Sequence, residues 1–316
     1  NYSPTADGGY NLKMWASNIN GSNVDADHTN DTLSRFIQAI SNNVNKKTVL
    51  EEFTGAWCGF CPDGHLKLDL ALQSVPNALI PVSIHEGSST TDKMTCTEGM
   101  TRANLYSIGY PSAILDAVYY LDETEVAFDR VVTSETENHW LDKVNFRLPM
   151  ATPVNVSLLN KTYDTTSRQL NVTVRADFGA NVTGDYRFNL YLTEDSVIGS
   201  GTGYDQHNYY SSATSGGSAW SGSPYYNLAD PIVGWAHMHV FRKGMGGAWG
   251  DAGVIPSTVT AGSSYTKTYT YTIPNTWKAK FVNVIGLVEE YNSNYKYRNI
   301  LNAETAQLVQ TATAIK

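Results

Sequence analysis

The pair Cys58 and Cys61 stands where a strand pattern gives way to a helical one, and this junction constrains the fold more than any other feature. Residues 48–53, which read Thr-Val-Leu-Glu-Glu-Phe, have the apolar and β-branched pattern of a buried strand. Pro62 suits the first turn of a helix that begins near Cys61. A second apolar run at 78–85 predicts another buried strand. Because a helix separates the two strands, we expect them to pair in parallel.

The position of the cysteine pair predicts redox chemistry. A cysteine at the first turn of a helix meets unpaired backbone N–H groups and the positive end of the helix dipole, which favour the thiolate. We therefore expect Cys58 to be the nucleophile, and Cys61, one turn further in, to resolve a mixed disulfide formed at Cys58. Trp57 would shield one side of the Cys58 sulfur and offer a flat apolar platform to a partner polypeptide.

Two other interpretations of the cysteine pair are open from the sequence. The pair could be a structural disulfide in a domain kept for binding. A structural zinc site needs four ligands, and only Cys96 with a histidine could complete the set, so we predict no metal. Cys96 itself is predicted to be a small buried apolar residue. His237 and His239 share one face of a predicted strand, and we interpret them as polar packing residues.

The pattern of the chain changes after a connector at 145–153 that contains two prolines. Apolar and polar residues alternate along 170–178, and residues 186–192 repeat this pattern, as expected of strands with one buried face. Roughly seven or more such segments predict an all-β unit, most simply a sandwich of two sheets. An insert at 207–227, rich in Ser, Gly and Tyr, is predicted to be a long loop.

These patterns divide the chain into three parts. Residues 46–147 form the predicted α/β domain, and residues 148–316 form the predicted β-sandwich domain. Residues 1–45 are an N-terminal extension in which apolar residues recur at helical spacing after Asp31, a suitable N-cap. The extension is therefore predicted to contain a short helix that packs on the α/β domain.

The composition narrows the function. A net charge of −8 over 316 residues leaves no basic face for phosphate groups, so nucleic-acid binding is not expected. The sequence has no run of about 20 apolar residues, so we predict no membrane-spanning segment. The chain begins at Asn1 rather than methionine, which indicates the removal of a signal segment or anchor. Segments rich in Ser, Thr, Asn, Gly and Tyr and poor in Lys favour an extracytoplasmic location.

Three features in the same order resemble the thioredoxin superfamily over about residues 46–143. They are the turn Trp57-Cys58-Gly59-Phe60-Cys61, the acid Glu52 six residues before Cys58, and the pair Tyr110-Pro111 before a strand. The resemblance implies an α/β thioredoxin-like fold for the N-terminal domain. It also implies that Pro111 is cis and lies against the cysteine pair, that Tyr110 faces the substrate, and that Glu52 relays a proton for the inner cysteine.

The longer string from Glu51 to His65 is more specifically similar to a family of outer-membrane-associated thioredoxin-like proteins of Gram-negative gut and oral anaerobes. Proteins of that family append a β-rich C-terminal domain, which agrees with the change of pattern after Pro153. The similarity implies a location in the periplasm or at the outer-membrane surface, with a lipid anchor or another association with the outer membrane. His65, one turn into the helix behind the cysteines, is predicted to lie at the surface.

Two functions from different classes are consistent with these residues. The first is an extracytoplasmic thiol-disulfide oxidoreductase that acts on protein dithiols or disulfides and needs no cofactor beyond its own redox-active disulfide. Its site residues are, for catalysis, Cys58, Cys61 and Glu52 and, for substrate binding, Trp57, Tyr110 and Pro111. The second is a surface binding or adhesion protein whose β domain binds protein or glycan and whose thioredoxin-like unit is a scaffold.

Overall fold

The N-terminal part of the chain contributes two paired strands to the computed structural model, which describes residues 8–15, 32–40, 44–213 and 221–309. β1 (Gly8–Trp15) and β2 (Thr32–Ala39) pair antiparallel along their whole length. The helix predicted after Asp31 is therefore wrong. A strand forms instead because β1 offers a complete antiparallel partner, with Tyr10 opposite Ile37. The backbone pairing with β1 outweighs the helical spacing of the apolar residues.

The predicted strand, helix and strand around the cysteine pair are confirmed. β3 (Thr48–Thr54) is followed by α1 (Cys61–Ser74) and by β4 (Leu79–His85), which pairs parallel to β3. Every residue of β3 is buried, because this strand lies inside a sheet with elements on both faces. The other elements of this half are α2 (Thr97–Tyr106), β5 (Ser112–Leu115), β6 (Phe128–Asp129) and α3 (His139–Arg147). No helix of the described residues is long and apolar enough to cross a membrane.

The second half is mostly β, as its alternating pattern predicts. Its strands are β7 (Val154–Tyr163), β8 (Gln169–Phe178), β9 (Val182–Thr183), β10 (Asp185–Glu194), β11 (Val240–Gly244), β12 (Thr258–Val259), β13 (Ser264–Thr272), β14 (Val282–Tyr291) and β15 (Asn299–Gln307). β13, β8 and β7 form a three-stranded sheet, and β12 pairs with β9. The remaining strands of this half join strands of the first half.

One eight-stranded sheet runs through both halves of the chain. Its order is β15-β14-β10-β11-β4-β3-β5-β6. The halves meet at the parallel pair β4 and β11, where the Ser83 N–H donates to His239 O at 2.8 Å. The sheet thus contains strands from both sides of the predicted boundary between residues 147 and 148, and the division into two domains stays a prediction. The loop that connects β10 to β11 is brought beside the end of β3, where the cysteine turn begins.

The three-stranded sheet packs face to face on the end of the large sheet that holds β10, β14 and β15. Their shared core includes Val174 from β8 and Phe188 from β10, both completely buried. The two sheets approach closely at Gly286, where an added Cβ atom would lie 2.7 Å from Leu158 Cδ2. Burial of this apolar face stabilises the second half.

Candidate functional site

The two cysteines of the pair form a disulfide at the amino-terminal end of α1. The Sγ–Sγ distance is 2.03 Å, and the Cα atoms are 5.4 Å apart. Cys61 is the first residue of α1 and is completely buried, and Cys58 is 4% exposed. The Cys58 N–H closes the turn by donating to Gly55 O at 3.0 Å. The chain turns here because β3 ends at Thr54 and Pro62 favours the first turn of a helix.

The three residues predicted to bind substrate lie around this turn and the start of α1. Trp57 is 37% exposed, and its Nε1–H donates to Glu86 O at 2.7 Å. Its ring meets the ring of Tyr110 edge to face, with the centroids 5.1 Å apart. The Tyr110–Pro111 peptide bond is cis, as the resemblance implies. Pro111 packs on α1 at Gly64, where an added Cβ atom would lie 2.8 Å from Pro111 Cβ.

The predicted proton relay, Glu52, is fully buried on β3 behind α1. Its Oε2 accepts a hydrogen bond from Ser83 Oγ at 3.0 Å and lies 3.2 Å from His65 Nδ1. Its Oε1 has no hydrogen-bond partner among the described residues. An added Cβ atom at Gly64 would lie 2.7 Å from Oε1. The glycine therefore lets the carboxylate approach the helix that carries Cys61.

His65 is buried, and the prediction that it lies at the surface is wrong. The residue is 9% exposed, and its ring centroid lies 5.9 Å from that of Trp235 in the second half. Burial lowers the pKa of His65, but the Glu52 carboxylate and its hydrogen bond raise the pKa by more, so that the net shift is upward. The spacing of four residues between Cys61 and His65 places both on one face of α1, and this was the available signal in the sequence.

A loop from the second half covers the disulfide turn. It connects β10 to β11, and its residue Gln206 is completely buried. Gln206 Nε2 donates to Cys58 O at 2.8 Å and to Gly55 O at 3.2 Å. The His207 N–H donates to Ala56 O at 2.8 Å. These bonds fix the loop to the disulfide turn, and Gly55 O and Cys58 O accept them in addition to the hydrogen bonds within the turn.

In the same loop, Tyr209 lies over the glycine between the cysteines. Its N–H donates to Gly59 O at 2.9 Å, and an added Cβ atom at Gly59 would lie 2.2 Å from Tyr209 Cγ. The ring of Phe60 meets that of Tyr209 edge to face, with the centroids 5.3 Å apart. Tyr209 is 48% exposed and adds an aromatic ring to the open face of the site. The loop predicted at 207–227 is irregular in its described parts, but nothing in its sequence indicates that it covers the disulfide.

Asp92 and His85 form a second buried pair, and Asp92 hydrogen-bonds to the disulfide turn. Asp92 Oδ2 accepts hydrogen bonds from the Ala56 N–H and from His85 Nδ1, each at 2.8 Å. Burial raises the pKa of Asp92, but His85 and two backbone N–H groups lower the pKa by more. The ring of His237 lies 5.0 Å from that of His85, and burial lowers the pKa of His237 to about 3. His237 is therefore neutral near pH 7, and Asp92 carries the charge of this group.

The other candidate ligands, His237, His239 and Cys96, have different surroundings. His237 Nε2 is 2.7 Å from Tyr204 O, whereas His239 Nδ1 is 2.9 Å from Asp195 Oδ1. Burial raises the pKa of the Cys96 thiol to about 11, so this cysteine is a poor nucleophile near pH 7. Within the part of the chain that the structure describes, no group of three or more His, Cys, Asp or Glu residues is arranged to hold a metal ion.

The chain is similar to a family of known proteins and to solved structures. The family model of the outer membrane protein Omp28 matches residues 104–311. The structure of HBP35 of Porphyromonas gingivalis is similar, with a TM-score of 0.58 and 17% identity over 84% of this chain and 76% of that chain. A structural genomics target from Agrobacterium tumefaciens has a TM-score of 0.49 and 13% identity over 85% of this chain and 98% of that chain. No curated protein matches the sequence.

These similarities differ in what they establish. The likeness to HBP35 shows a shared overall fold. The family match begins beyond the cysteine pair and includes most of the second half. It confirms the predicted extracytoplasmic or outer-membrane location. Because the match covers most of the chain, the protein belongs to the outer membrane protein Omp28 family.

Proposed function

We propose that the protein is an extracytoplasmic thiol-disulfide oxidoreductase that acts on protein disulfides through Cys58 and Cys61. The observation that carries this proposal is the Glu52 carboxylate, which is buried behind the helix that begins with Cys61, lies 3.2 Å from a histidine, His65, and has one oxygen without a hydrogen-bond partner among the described residues. A buried acid with a free oxygen destabilises a fold and is typical of functional sites. Proton exchange with a cysteine of the pair is the function that fits this position.

The local fold supports a thioredoxin-like assignment for the first half. The disulfide lies in the unit β3-α1-β4, and a Cys-x-x-Cys pair in a strand-helix-strand unit is typical of thioredoxin-like redox proteins. The packing of cis Pro111 on α1 agrees with it. Within the proposal, residues 46–147 are the thioredoxin-like domain, and residues 148–316 are a β-sandwich domain.

The proposed reaction begins with the reduced protein. The amino-terminal end of α1 stabilises a thiolate at Cys58, which attacks one sulfur of a substrate disulfide and displaces the other substrate sulfur as a thiolate. Glu52 then takes the proton of the Cys61 thiol, and the Cys61 sulfur attacks Cys58 Sγ. This attack forms the Cys58–Cys61 disulfide and releases the second substrate thiolate. The two cysteines are oxidised, the substrate disulfide is reduced, and a dithiol donor reduces the protein again.

The proposed partner is a protein that presents its disulfide on an extended segment. Because Cys58 is only 4% exposed, a narrow chain must bring the reacting sulfur close to it. Trp57, Tyr110 and Tyr209 stand around the turn, and flat apolar rings suit contact with many sequences. The proposed setting is the periplasm or the outer-membrane surface, where protein disulfides form and persist.

Reduction of insulin by dithiothreitol tests this function. We expect the wild-type protein to accelerate the reduction and Cys58→Ser to abolish the acceleration. Cys96→Ser is the matched control and should keep full activity, because the pKa of the Cys96 thiol is raised to about 11. An inactive wild-type protein, or full activity in Cys58→Ser, would contradict the proposal.

One observation favours a second function, that of a surface binding or adhesion protein whose first half is a scaffold. The family match begins at residue 104, beyond the cysteine pair. If the disulfide were only structural, the reduced Cys58 thiol would resist alkylation in the folded protein. Rapid alkylation of reduced Cys58 by iodoacetamide, with Cys96 unmodified, would exclude this scaffold function.

A further inference from the structure

The Glu52 carboxylate is enclosed, so a proton that it takes from Cys61 needs a route to solvent. Ser83 closes one side of it, and α1 at Gly64 closes another. Its ionisable neighbour is His65, whose Nδ1 lies 3.2 Å from Glu52 Oε2. A proton can therefore be exchanged between Glu52 and His65 through this contact.

Cys61, His65 and Asp69 follow one another at intervals of four residues along α1 and so share one side of the helix. Their exposure increases in this order, because Cys61 is completely buried, His65 is 9% exposed and Asp69 is exposed. Asp69 is near enough to interact electrostatically with His65. This side of α1 therefore leads from the disulfide to solvent by way of His65.

The two ring nitrogens of His65 have different surroundings. Nδ1 faces Glu52, whereas Nε2 is buried and has no hydrogen-bond partner among the described residues. An imidazole can hold a proton at either nitrogen and titrates near neutral pH. Nε2 is therefore the ring nitrogen that no described protein group engages, and a water molecule that enters beside it can take or supply a proton while Nδ1 stays on Glu52.

We propose that His65 is a positioning residue that passes the Cys61 proton from Glu52 to solvent beside Asp69, an inference that rests on the proposed oxidoreductase function. When the Cys61 sulfur attacks Cys58 Sγ, the Cys61 S–H bond breaks and its proton goes to Glu52. The neutral Glu52 no longer holds the His65 proton by its charge, and His65 releases one proton to solvent. When a dithiol donor reduces the disulfide, Glu52 returns its proton to Cys61 and His65 takes one from solvent.

The surroundings of His65 allow this step to be followed in a pH profile. The titratable groups that interact with it are Glu52 from β3, Asp69 from α1 and His237 from the second half, and Tyr225 and His239 of the second half interact in turn with Asp69. Burial raises the pKa of Tyr225 far above its usual value and lowers the pKa of His237 to about 3, so both stay neutral between about pH 5 and 9. His239 Nδ1 lies 2.9 Å from Asp195 Oδ1, so the partner of this ring is the Asp195 carboxylate.

Insulin reduction by the full chain with His65→Asn, measured as a function of pH, tests the inference. Asparagine keeps a donor near the position of Nδ1, so that Glu52 keeps its hydrogen bond, but an amide does not carry a proton. We expect turnover about tenfold slower than wild type near pH 6. The deficit should shrink to about twofold near pH 9, because a thiol with the ordinary pKa of about 8.5 is then largely ionised and needs no relay.

Two further variants support this measurement. His65→Gln provides a second substitution should His65→Asn fail to fold. His139→Asn on α3 is the matched control, because His139 is also partly buried and also lies 2.8 Å from a glutamate, Glu123. Its turnover should equal that of the wild type at every pH.

The possible outcomes separate the inference from the proposed function. A deficit of equal size at every pH would reveal a merely structural role for His65 and overturn the inference, as would wild-type turnover in both His65 variants. In these cases the wild-type protein is active, so the oxidoreductase function stands. An inactive wild-type protein overturns both the function and the inference.

Discussion

Glu51 and Glu52 are neighbours on β3 and are both completely buried, yet the two sides of the strand surround them differently. Glu51 forms an ion pair with Arg102 of α2. The same guanidinium lies 3.8 Å from Glu289 of β14 and 5.1 Å from the ring centroid of Trp249. Burial raises the pKa of Glu51 and Arg102 opposes this rise, so that the net shift is upward. The Glu51 side of the strand is thus a network between two carboxylates and one fixed cation.

Glu51 and Glu52 differ in whether their partner can lose a proton. Arginine does not lose its proton in proteins, so the pair of Glu51 and Arg102 cannot exchange protons and serves to join β3 to α2. Each glutamate leaves its Oε1 without a hydrogen-bond partner among the described residues, but the partner of Glu52 is His65, and a histidine can lose its proton. Successive side chains of a strand point to opposite faces of the sheet. The two adjacent glutamates therefore meet different partners, Arg102 on one face and His65 on the other.

The largest expected effect falls on stability and concerns Glu51. Glu51→Gln leaves the Arg102 guanidinium buried without its nearest negative charge, which should lower the free energy of unfolding by about 3 kcal/mol. Urea denaturation measures the loss. The folded fraction of this variant should reduce insulin at the wild-type rate, and a loss below about 1 kcal/mol would show that the Glu51 network is not structural.

The next effect falls on the reaction and concerns Glu52. Glu52→Gln keeps the shape of the side chain but removes the proton acceptor, so insulin reduction should slow by about a hundredfold. The free energy of unfolding should change by less than about 1 kcal/mol, because the amide can still accept from Ser83 Oγ and because His65, unlike Arg102, can lose its proton when the carboxylate is removed. If Glu51→Gln slowed the reaction as much as Glu52→Gln, the distinction between the two faces would fail.

A smaller effect on stability is expected at Gln206, the residue of the second half that hydrogen-bonds to the disulfide turn. Gln206→Leu leaves the carbonyls of Cys58 and Gly55 without their side-chain donor in a buried position, which should lower the free energy of unfolding by about 1 to 2 kcal/mol. Gln169→Leu, an exposed position on β8, is the matched control and should change it little. Equal effects of the two substitutions would mean that the loop does not support the Glu52 side of β3.

The smallest effect is a dependence of stability on pH that only the Glu52 side should show. Burial lowers the pKa of His65, but Glu52 raises it by more, so the folded protein favours the protonated ring. This stabilisation is fully present below about pH 6.5 and is lost as the pH rises through the folded-state pKa. The difference in unfolding free energy between wild type and His65→Asn should therefore be larger near pH 6 than near pH 9. Gln169→Leu, which removes no titratable group, should give a constant difference.

The sequence was sufficient for features that depend on residues near one another in the chain. The unit β3-α1-β4 follows from local periodicity and from Pro62, and the alternating strands of the second half follow in the same way. The local spacing of apolar residues predicts a helix at β2, which is wrong. The strand forms by pairing with β1, a separate segment that local spacing does not report.

The candidate site shows the same limit for side chains. Glu52 and Pro111 were placed by resemblance, whereas the spacing from Cys61 to His65 indicates only that they share a helix face. The ring of Trp235, about 170 residues away in the chain, packs near the ring of His65. No local sequence pattern indicates such a contact. Gln206 was missed for the same reason, since it reaches the Cys58 carbonyl from 148 residues further along the chain.

The central claim is that Cys58 attacks and Cys61 resolves, and trapping of the intermediate tests it most directly. Reduced Cys61→Ser protein, freed of reductant and mixed with insulin, should form a covalent adduct through Cys58 that dithiothreitol reverses. The Cys58→Ser protein should form none under the same conditions. An adduct at Cys96, or no adduct with Cys61→Ser, would contradict the account.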